Sequence, residues 1–521
     1  MDSHDKSAVT AEPALRLFFL LWGTVCGAAA LVPLVVRLLE RNAVSPWEAQ
    51  IAMEGIRFNA GLPLYEPGHA THLYGPLLSL MLGIIFKVAG LNLVLARMVF
   101  SIAGIALTFL LAGLVCRTKS RIWLLALFFL ALNWRTNFVF YSTQPDCLAA
   151  LLGIAGLLVW LGRDASSLRY ALALVLWLGA MLFKQTSAAF ALIPLVHELI
   201  WERPPQGQRL LVAMIPPAFL FLVLMAVAVM WPQLFSGMVV VPAKLKVHYD
   251  QFAPMLVYLL GTFPLFFLGL FGLLLTNEPL SKSERWIVSA NVVLIPISVW
   301  TAVKSGGGLN SLLFAYLAMA AFVISQLERF FTIGKFPGRH QLIALGSIFL
   351  ALLCSLFFQY QNSLSILFLR LGDDKYERAV AVARKLGPGV VSPQDTTIAF
   401  RANGYIGRSV FLELDGHSEN GDWPPLLPES IRQELAGAKH VIEIQCYVPT
   451  PVFHDALQSQ GFERAPVPLS RILSILFGLG RTEPWLSLTK IISNFRLVTY
   501  FPRSRAVSTN SQKKTPRRPS D

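Results

Sequence analysis

The chain forms its first apolar run with ALRLFFLLWGTVCGAAALVPLVVRLL (Ala14–Leu39) and continues with RNAVSPWEAQ (Arg41–Gln50). A helix needs about 20 mostly apolar residues to cross a bilayer, and this run exceeds that length. A cleavable signal peptide has a shorter apolar core that ends in a small-residue cleavage site. The run therefore predicts a retained membrane span, with a cytoplasmic N-terminus at 1–13 and a first outer loop at 40–75.

The composition of the 521 residues agrees with a protein built mostly from such spans. The chain is 55% hydrophobic and only 14% charged, whereas soluble domains carry roughly 25% charged residues. Its net charge of +14 would indicate nucleic-acid binding in a soluble protein. Here we attribute the charge to loops on the cytoplasmic side of a membrane, so we expect the lipid bilayer as a partner and no nucleic acid.

Further apolar runs separated by Arg, Lys, Pro and Gly extend through most of the chain. They occupy residues 76–90, 98–115, 122–140, 146–162, 171–183, 187–201, 210–231, 253–276, 286–303, 309–327 and 342–359. After residue 116, basic residues cluster in every second loop, which predicts that these loops are cytoplasmic. The alternate loops then face outward, at 134–146, 184–186, 232–252, 304–309 and beyond 360.

The number of spans depends on the short run 76–90. Two apolar runs lie between the first outer loop and the first basic cluster, although a single crossing is needed there. Either 76–90 is an interfacial or re-entrant segment, or another segment spans elsewhere. We expect an odd number, about 11–13 transmembrane helices, with the N-terminus inside and the C-terminus outside.

The composition changes near residue 360 and divides the chain. We predict a transmembrane domain at 14–360, a small extracytoplasmic α/β domain at 361–503, and a disordered basic tail at 504–521. The α/β prediction rests on alternating patterns, with strands at Gly389–Pro393 and Lys439–Gln445 and helices at Asp374–Lys385 and Pro428–Ala438. Neither a Rossmann fingerprint nor a P-loop occurs, so we expect no nucleotide site there.

Glu48 is the acidic residue of greatest interest in the first outer loop. Ser45, Pro46 and Glu48 form the pattern of a helix start, with Ser45 as N-cap and Glu48 as its capping-box partner. The same carboxylate, at the outer edge of the membrane, also suits a general base. The two roles do not exclude each other, and the sequence leaves both open.

The other outward loops each carry a candidate polar residue. Asp146 opens an apolar run, as an acidic residue in the first turn of a helix does. Lys184 either reaches the membrane interface or lines a cavity for a phosphate. Lys304 precedes a glycine run that ends at Asn310, and this stretch either cradles an anion or forms a flexible hairpin. Arg135 is a third outward cation.

Several short motifs together resemble the GT-C glycosyltransferases. The first group is Trp47-Glu48, Gly61-x-x-x-Tyr65, Tyr74-Gly-Pro76-Leu, Gly90-Leu-Asn and Arg97, and the second is Gln144-Pro-Asp146, Phe183-Lys-Gln-Thr186 and Lys304-x-Gly-Gly. Their order is similar to that of dolichyl-phosphate-mannose–protein mannosyltransferase-like and aminoarabinose-transferase-like bacterial enzymes. The chain departs from that pattern at Trp47, where many relatives carry a first acid, and at Gln144, where an arginine is usual.

The resemblance implies a bacterial inner-membrane enzyme that moves a sugar from a polyprenyl-phosphate donor to an extracytoplasmic glycan, lipid or protein, with inversion. In that reaction Glu48 is the general base, and Lys184, Lys304 and Arg135 bind the donor phosphate. The implied substrate-binding residues are Tyr65, His72, Tyr74, Asp146 and Asn310.

We expect no cofactor, and transfer without a metal is favoured because no Asp-x-Asp pair or Cys-x-x-Cys pattern occurs. Two other classes stay open on the sequence. One is a transporter or flippase for lipid or sugar. The other is an assembly factor with a degenerate site, which the replacement at Trp47 suggests.

Overall fold

The computed structural model describes residues 35–333 and 375–502, with gaps at 37, 44, 67–71, 116–137, 163–165, 203–206, 263–265, 268–269, 271–278, 306, 418–425, 446–450, 460–461 and 465–495. Most of the predicted first span, Arg135 and the basic tail lie outside the described residues. The proposed boundaries of the three regions stay predictions.

Helices make up most of the first described part. They are α1 (Pro46–Asn59), α2 (Pro76–Ala89), α3 (Leu93–Val115), α4 (Phe138–Tyr141), α5 (Asp146–Trp160), α6 (Ser167–Phe183), α7 (Ile193–Trp201), α8 (Gly207–Met230), α9 (Pro232–Phe235), α10 (Val241–Lys244), α11 (Phe252–Thr262), α12 (Lys282–Ala302) and α13 (Leu313–Ile333). Tighter 3-10 turns occupy Gln185–Leu192, Tyr249–Gln251 and Leu309–Leu312, and a π-helical turn occupies Ser236–Val240.

Four described helical stretches are long and apolar enough to cross a membrane: Leu93–Leu111, Gly207–Met230, Lys282–Ala302 and Leu309–Gln326. By contrast α2 has only 14 residues, or about 21 Å at 1.5 Å per residue, against a bilayer core of about 30 Å. Asp146–Trp160 and Ser167–Phe183 are also shorter than a full crossing, so both interpretations of residues 76–90 stay open. The total number of spans stays a prediction.

The predicted helix start in the first outer loop is present. Ser45 is the N-cap of α1, its Oγ accepts a hydrogen bond from the N–H of Glu48 at 3.1 Å, and Pro46 occupies the first helical position. The helix crosses α2 closely, because a Cβ atom on Gly55 would lie 2.9 Å from the Cβ of Leu82. Glycine at this crossing lets the backbones approach.

Helix α1 is buried along most of its length although it carries several charged side chains. Its apolar residues Ile51 and Met53 join a core cluster that includes Leu82 and Phe100. On another side, the Oγ1 of Thr396 donates to the carbonyl of Ala49 at 3.4 Å. The first outer loop therefore lies between the membrane helices and the C-terminal segment.

In the C-terminal segment helices and strands alternate. The elements are α14 (Lys375–Leu386), β1 (Val390–Val391), α15 (Thr396–Asn403), α16 (Val410–Gly416), α17 (Glu429–Ala436), β2 (His440–Gln445), α18 (Pro451–Ser459), β3 (Phe462–Arg464) and β4 (Arg496–Pro502). They form a four-stranded sheet in the order β1-β2-β4-β3, parallel between β1 and β2 and antiparallel elsewhere. Both predicted strands and both predicted helices coincide with elements here, while the extracytoplasmic location stays a prediction.

Candidate active site at the outer loops

The outer loops predicted from the charge pattern meet one another. A Cβ atom on Gly75, at the end of the first outer loop, would lie 1.9 Å from the carbonyl oxygen of Leu182 at the end of α6. Next to it, the side-chain amide of Gln185 donates to the carbonyl of Leu73 at 3.1 Å. The first outer loop therefore contacts the end of α6 through its backbone and the 184–186 loop through the side chain of Gln185.

The segment 232–252 joins the same assembly. A Cβ atom on Gly237 would lie 2.5 Å from the ring of Tyr65, and the segment's other end forms an antiparallel bridge between Val247 and Lys304. The N–H of His248 donates to the carbonyl of Val303 at 3.0 Å. All of these loops lie at one end of the helices, as loops on one side of a membrane do. That this side is extracytoplasmic stays a prediction.

Three candidate residues from three different loops form one buried cluster. The ammonium of Lys184 contacts Oδ1 of Asp146, and the side-chain amide of Asn310 donates to Oδ2 of the same carboxylate at 3.2 Å. The side chains of Lys184 and Asp146 are 7% and 1% exposed. Asp146 is the first residue of α5, as the helix-start interpretation predicted, and its role in a site stays a prediction.

Glu48 is completely buried and is held by an arginine of α3. The guanidinium of Arg97 donates to both carboxylate oxygens, from Nε at 2.9 Å and from Nη2 at 2.6 Å. The backbone N–H of Thr143 donates to Oε1 at 3.0 Å. Arg97 also donates to the carbonyl of Asn42 at 2.6 Å, so one guanidinium fastens both the start of α1 and the chain before it.

This environment bears on the role expected for Glu48. Both of its carboxylate oxygens already accept hydrogen bonds from groups of the protein. The geometry thus favours a residue that positions the first outer loop, and the general-base role stays a prediction. Thr143 lies three residues before Asp146, so the same short stretch touches Glu48 and contributes to the Asp146 cluster.

The three candidates Tyr65, His72 and Tyr74 lie together around a second buried carboxylate, that of Glu54. The imidazole Nδ1 of His72 contacts Glu54, and its Nε2 lies 3.1 Å from the carbonyl of Gly75. The hydroxyl of Tyr65 donates to the carbonyl of Tyr74 at 2.7 Å. These contacts stabilise the fold of the loop, and a substrate-binding role for the three residues stays a prediction.

Burial by itself lowers the pKa of His72. The charge and hydrogen bond of Glu54 and the hydrogen bond to the Gly75 carbonyl together raise the pKa above its ordinary value.

Lys304 has a different environment from that of Lys184. Its ammonium donates to the carbonyl of Pro242 at 3.1 Å, and partial burial lowers the pKa of Lys304. In the glycine run that follows, a Cβ atom on Gly307 would lie 2.4 Å from the carbonyl oxygen of Thr301. The N–H of Gly307 donates to the carbonyl of Lys304 at 2.7 Å, so this N–H closes the turn and is not presented to an anion.

The His, Cys, Asp and Glu side chains are the residues of this chain that could ligate a metal. Within the described ranges, no group of three or more His, Cys, Asp or Glu side chains is placed to hold a metal ion. Transfer without a metal stays a prediction.

The C-terminal segment contacts the first outer loop through residues that the sequence did not single out as a pair. The ring of Trp47 stacks on Phe411 with centroids 5.5 Å apart. Glu66 is paired with Arg57 of α1 and with Arg408 at 2.5 Å. The aromatic residue at position 47, where many GT-C enzymes have an acid, therefore packs against the C-terminal segment.

The apolar helices and the gathered loops are those of a polytopic membrane protein. No family model and no curated protein matches the chain. Among solved structures, that of ArnT from Cupriavidus metallidurans in the apo state is similar, with a TM-score of 0.50 and 15% identity over 88% of this chain and 97% of that chain. This likeness confirms the expected GT-C-like membrane fold, and at this identity it carries the fold alone.

Proposed function

We propose that the chain is a membrane glycosyltransferase that moves a sugar from a polyprenyl-phosphate donor to an extracytoplasmic acceptor. The observation that carries the proposal is the convergence of Asp146, Lys184 and Asn310 from three outer loops. A carboxylate, an ammonium and an amide in one place can hydrogen-bond the hydroxyls of a sugar. Their position in a GT-C-like fold supports this role by analogy only.

The proposed reaction is a single displacement. An acceptor hydroxyl attacks the anomeric carbon from the face opposite the phosphate, its proton passes to water or, in the alternative below, to Glu48, and the phosphate leaves with the electrons of the broken bond. One such displacement inverts the anomeric configuration, as in inverting glycosidases. The apolar helices supply the surface on which the lipid tail of the donor lies in the bilayer.

A cation near the leaving group stabilises the charge that develops on the phosphate. The charge of Lys184 is already balanced by Asp146. Lys304 contacts a carbonyl, and the shift of its pKa is caused by burial alone. An incoming phosphate would supply the counter-charge that Lys304 lacks among the described residues, so we assign the donor phosphate to Lys304. Lys184 and the undescribed Arg135 remain secondary candidates.

The proposed roles of the two buried carboxylates differ. Glu48 accepts at least three hydrogen bonds, two of them from Arg97, so we propose that it positions the first outer loop. Its role as general base is the alternative, and the variant Glu48→Gln distinguishes the two. Asp146 holds Lys184 and Asn310 at the point where the sugar binds.

The test is transfer of radiolabel from polyprenyl-phosphate sugars to a crude envelope extract by the purified full-length chain. We expect Asp146→Asn to reduce transfer on the order of 10²-fold, because Lys184 and Asn310 lose the carboxylate that positions them and a small misplacement at a reacting centre has about this cost. The control is Lys244→Ala, which removes a charge from an exposed residue of the segment 232–252 and should leave transfer unchanged. Absence of transfer by the wild-type chain would favour the assembly factor, and transport of label without transfer would favour the carrier.

A further inference from the structure

We propose that Arg408 of the C-terminal segment is a positioning residue for sugar transfer, and that it acts by holding helix α1 in place through Glu66. This inference rests on the proposed function and extends it to the C-terminal segment. That segment is then needed for the reaction, although Asp146, Lys184 and Asn310 all come from the outer loops.

The first observation is a carboxylate shared by two arginines from distant parts of the chain. Glu66 contacts Arg57 of α1 through Oε1, and its Oε2 accepts a hydrogen bond from Nη2 of Arg408 at 2.5 Å. The side chains of Arg57, Glu66 and Arg408 are 5%, 14% and 23% exposed. Salt screens partly buried charges only weakly, so these three residues, called the clamp below, join the end of α1 to the C-terminal segment.

The clamp also includes the chain that follows α1. Nη2 of Arg57 donates to the carbonyl of Pro63 at 3.4 Å, and the carbonyl of Arg57 accepts from the N–H of Leu62 at 3.0 Å. Glu66 thus closes a short loop back onto the helix end from which that loop starts.

The second observation is that the C-terminal segment contacts α1 at its other end as well. There the ring of Trp47 stacks on Phe411. Between the two ends, Phe400 and Ile406 pack against the core cluster to which Ile51 of α1 belongs. The segment therefore touches α1 along its length, with the ion pairs at one end and the stacked rings at the other.

Helix α1 connects these contacts to the candidate active site. Glu48 at its start accepts a hydrogen bond from the backbone N–H of Thr143 at 3.0 Å, in the turn that leads into Asp146 and α5. Backbone hydrogen bonds join each turn of a helix to the next, so a shift of α1 at Arg57 is passed to Glu48. Through α1, the clamp fixes the position of the Asp146 carboxylate.

A second path runs along the first outer loop. The hydroxyl of Tyr65 donates to the carbonyl of Tyr74 at 2.7 Å, and the side-chain amide of Gln185 donates to the carbonyl of Leu73 at 3.1 Å. One peptide bond joins Tyr65 to the clamp and another joins Gln185 to Lys184. Both partners of the buried ion pair in the candidate site are thus connected to the clamp.

Arg408→Met tests the role of the clamp, because it removes one guanidinium and leaves Glu66 paired with Arg57. We expect kcat per donor-binding site to fall by about 10-fold, since a misplacement of roughly 1 Å costs up to about 10²-fold. Affinity for bare polyprenyl phosphate should equal that of the wild-type chain, because Lys304 is held by the carbonyl of Pro242 and not by the clamp. A merely structural role lowers the number of binding sites and leaves kcat per site unchanged.

The matched control is Arg432→Met in the same segment. Arg432 pairs with Glu429 at 2.5 Å, but the two side chains are 48% and 59% exposed. Exposed ion pairs contribute little, so this variant should have the wild-type kcat. Arg408→Lys keeps the charge but not the planar donor group and should recover part of the loss.

A double variant tests whether Arg408 acts through Glu66. Arg408 also contacts Glu413 at 3.4 Å, which offers a different route. If Glu66 is the route, adding Arg408→Met to Glu66→Gln should lower kcat per site no further, because both changes break the same bridge. A further loss equal to that of Arg408→Met alone would overturn this route.

Hydrogen–deuterium exchange of the full-length chain, run beside transfer from polyprenyl-phosphate sugars, completes the test. Residues 47–66 should exchange faster in Arg408→Met than in the wild-type chain, and at the wild-type rate in Arg432→Met. Unchanged exchange in Arg408→Met, or a wild-type kcat per site in that variant, would overturn the positioning role. A wild-type chain that transfers none of the sugars overturns the proposed function instead, and the exchange rates then decide by themselves whether the clamp holds α1.

Discussion

The ion pair between Glu48 and Arg97 gives the sharpest single perturbation of the site. Both side chains are completely buried, and the guanidinium meets the carboxylate with two hydrogen bonds at 2.9 and 2.6 Å. Glu48→Gln keeps the shape of the side chain and removes its charge, which leaves the guanidinium of Arg97 buried without its counter-ion.

The expected magnitude follows from the burial of both partners. Removing one member of a buried ion pair costs about 3–5 kcal/mol, because the remaining charge loses its compensation. Arg97→Met should cost a similar amount. The double variant should cost clearly less than the sum, with an interaction free energy of about 1–3 kcal/mol. Arg97→Lys should not restore the wild-type value, because an ammonium cannot reproduce the two parallel hydrogen bonds of a guanidinium.

The assay combines denaturant-induced unfolding of the detergent-solubilised chain with the transfer of labelled sugar. If Glu48 positions the loop, Glu48→Gln and Arg97→Met should lose stability and transfer together. A positioning role for Glu48 is excluded if Glu48→Gln unfolds like the wild-type chain, binds donor normally and no longer transfers. That result would identify Glu48 as the general base.

Two further predictions concern packing and pH. Gly75→Ala should lower stability and transfer, because its Cβ atom would lie 1.9 Å from the carbonyl oxygen of Leu182. Gly207→Ala is the control and should leave both unchanged, because no atom lies within 4 Å of its Cβ. Thermal unfolding of the two variants tests the difference in stability. Burial raises the pKa of Asp395 from 3.8 to about 6, so between these pH values the folded chain holds a proton that the unfolded chain has released, and the free energy of unfolding falls as pH rises. Asp395→Asn keeps an N-capping side chain and should remove this fall, at most about 3 kcal/mol, in unfolding measured from pH 4 to 7; an unchanged pH dependence would contradict the assignment.

Local signals predicted the local parts of the fold. The cap of α1 at Ser45 and Pro46 is a pattern within a few residues, and so are the strand patterns that coincide with β1 and β2. The charge pattern of the loops also predicted which loops lie together, because it depends only on the order of the spans.

The contacts inside the site were not predictable in the same way. Asp146 and Asn310 were each candidates, but their hydrogen bond joins residues 164 positions apart. The sequence indicated that Glu48 is an acidic residue at a helix start. Its partner Arg97, in α3, is apparent only from the packing of the helices. Such pairs depend on how the helices pack against one another. The periodicity of a single sequence predicts which face of a helix is buried, but not which residue of another helix it contacts. The replacement at Trp47 likewise gains a physical meaning only through its contact with the C-terminal segment.

We propose that this chain transfers sugar from a lipid phosphate and that the transfer depends on the cluster of Asp146, Lys184 and Asn310. The most direct measurement uses proteoliposomes that contain the full-length chain and a radiolabelled polyprenyl-phosphate sugar, with the acceptor extract outside. We predict label on the acceptor with the wild-type chain and with Lys244→Ala, and a loss on the order of 10²-fold with Asp146→Asn. Label that crosses the bilayer while still attached to its lipid, or undiminished transfer by Asp146→Asn, would contradict the account.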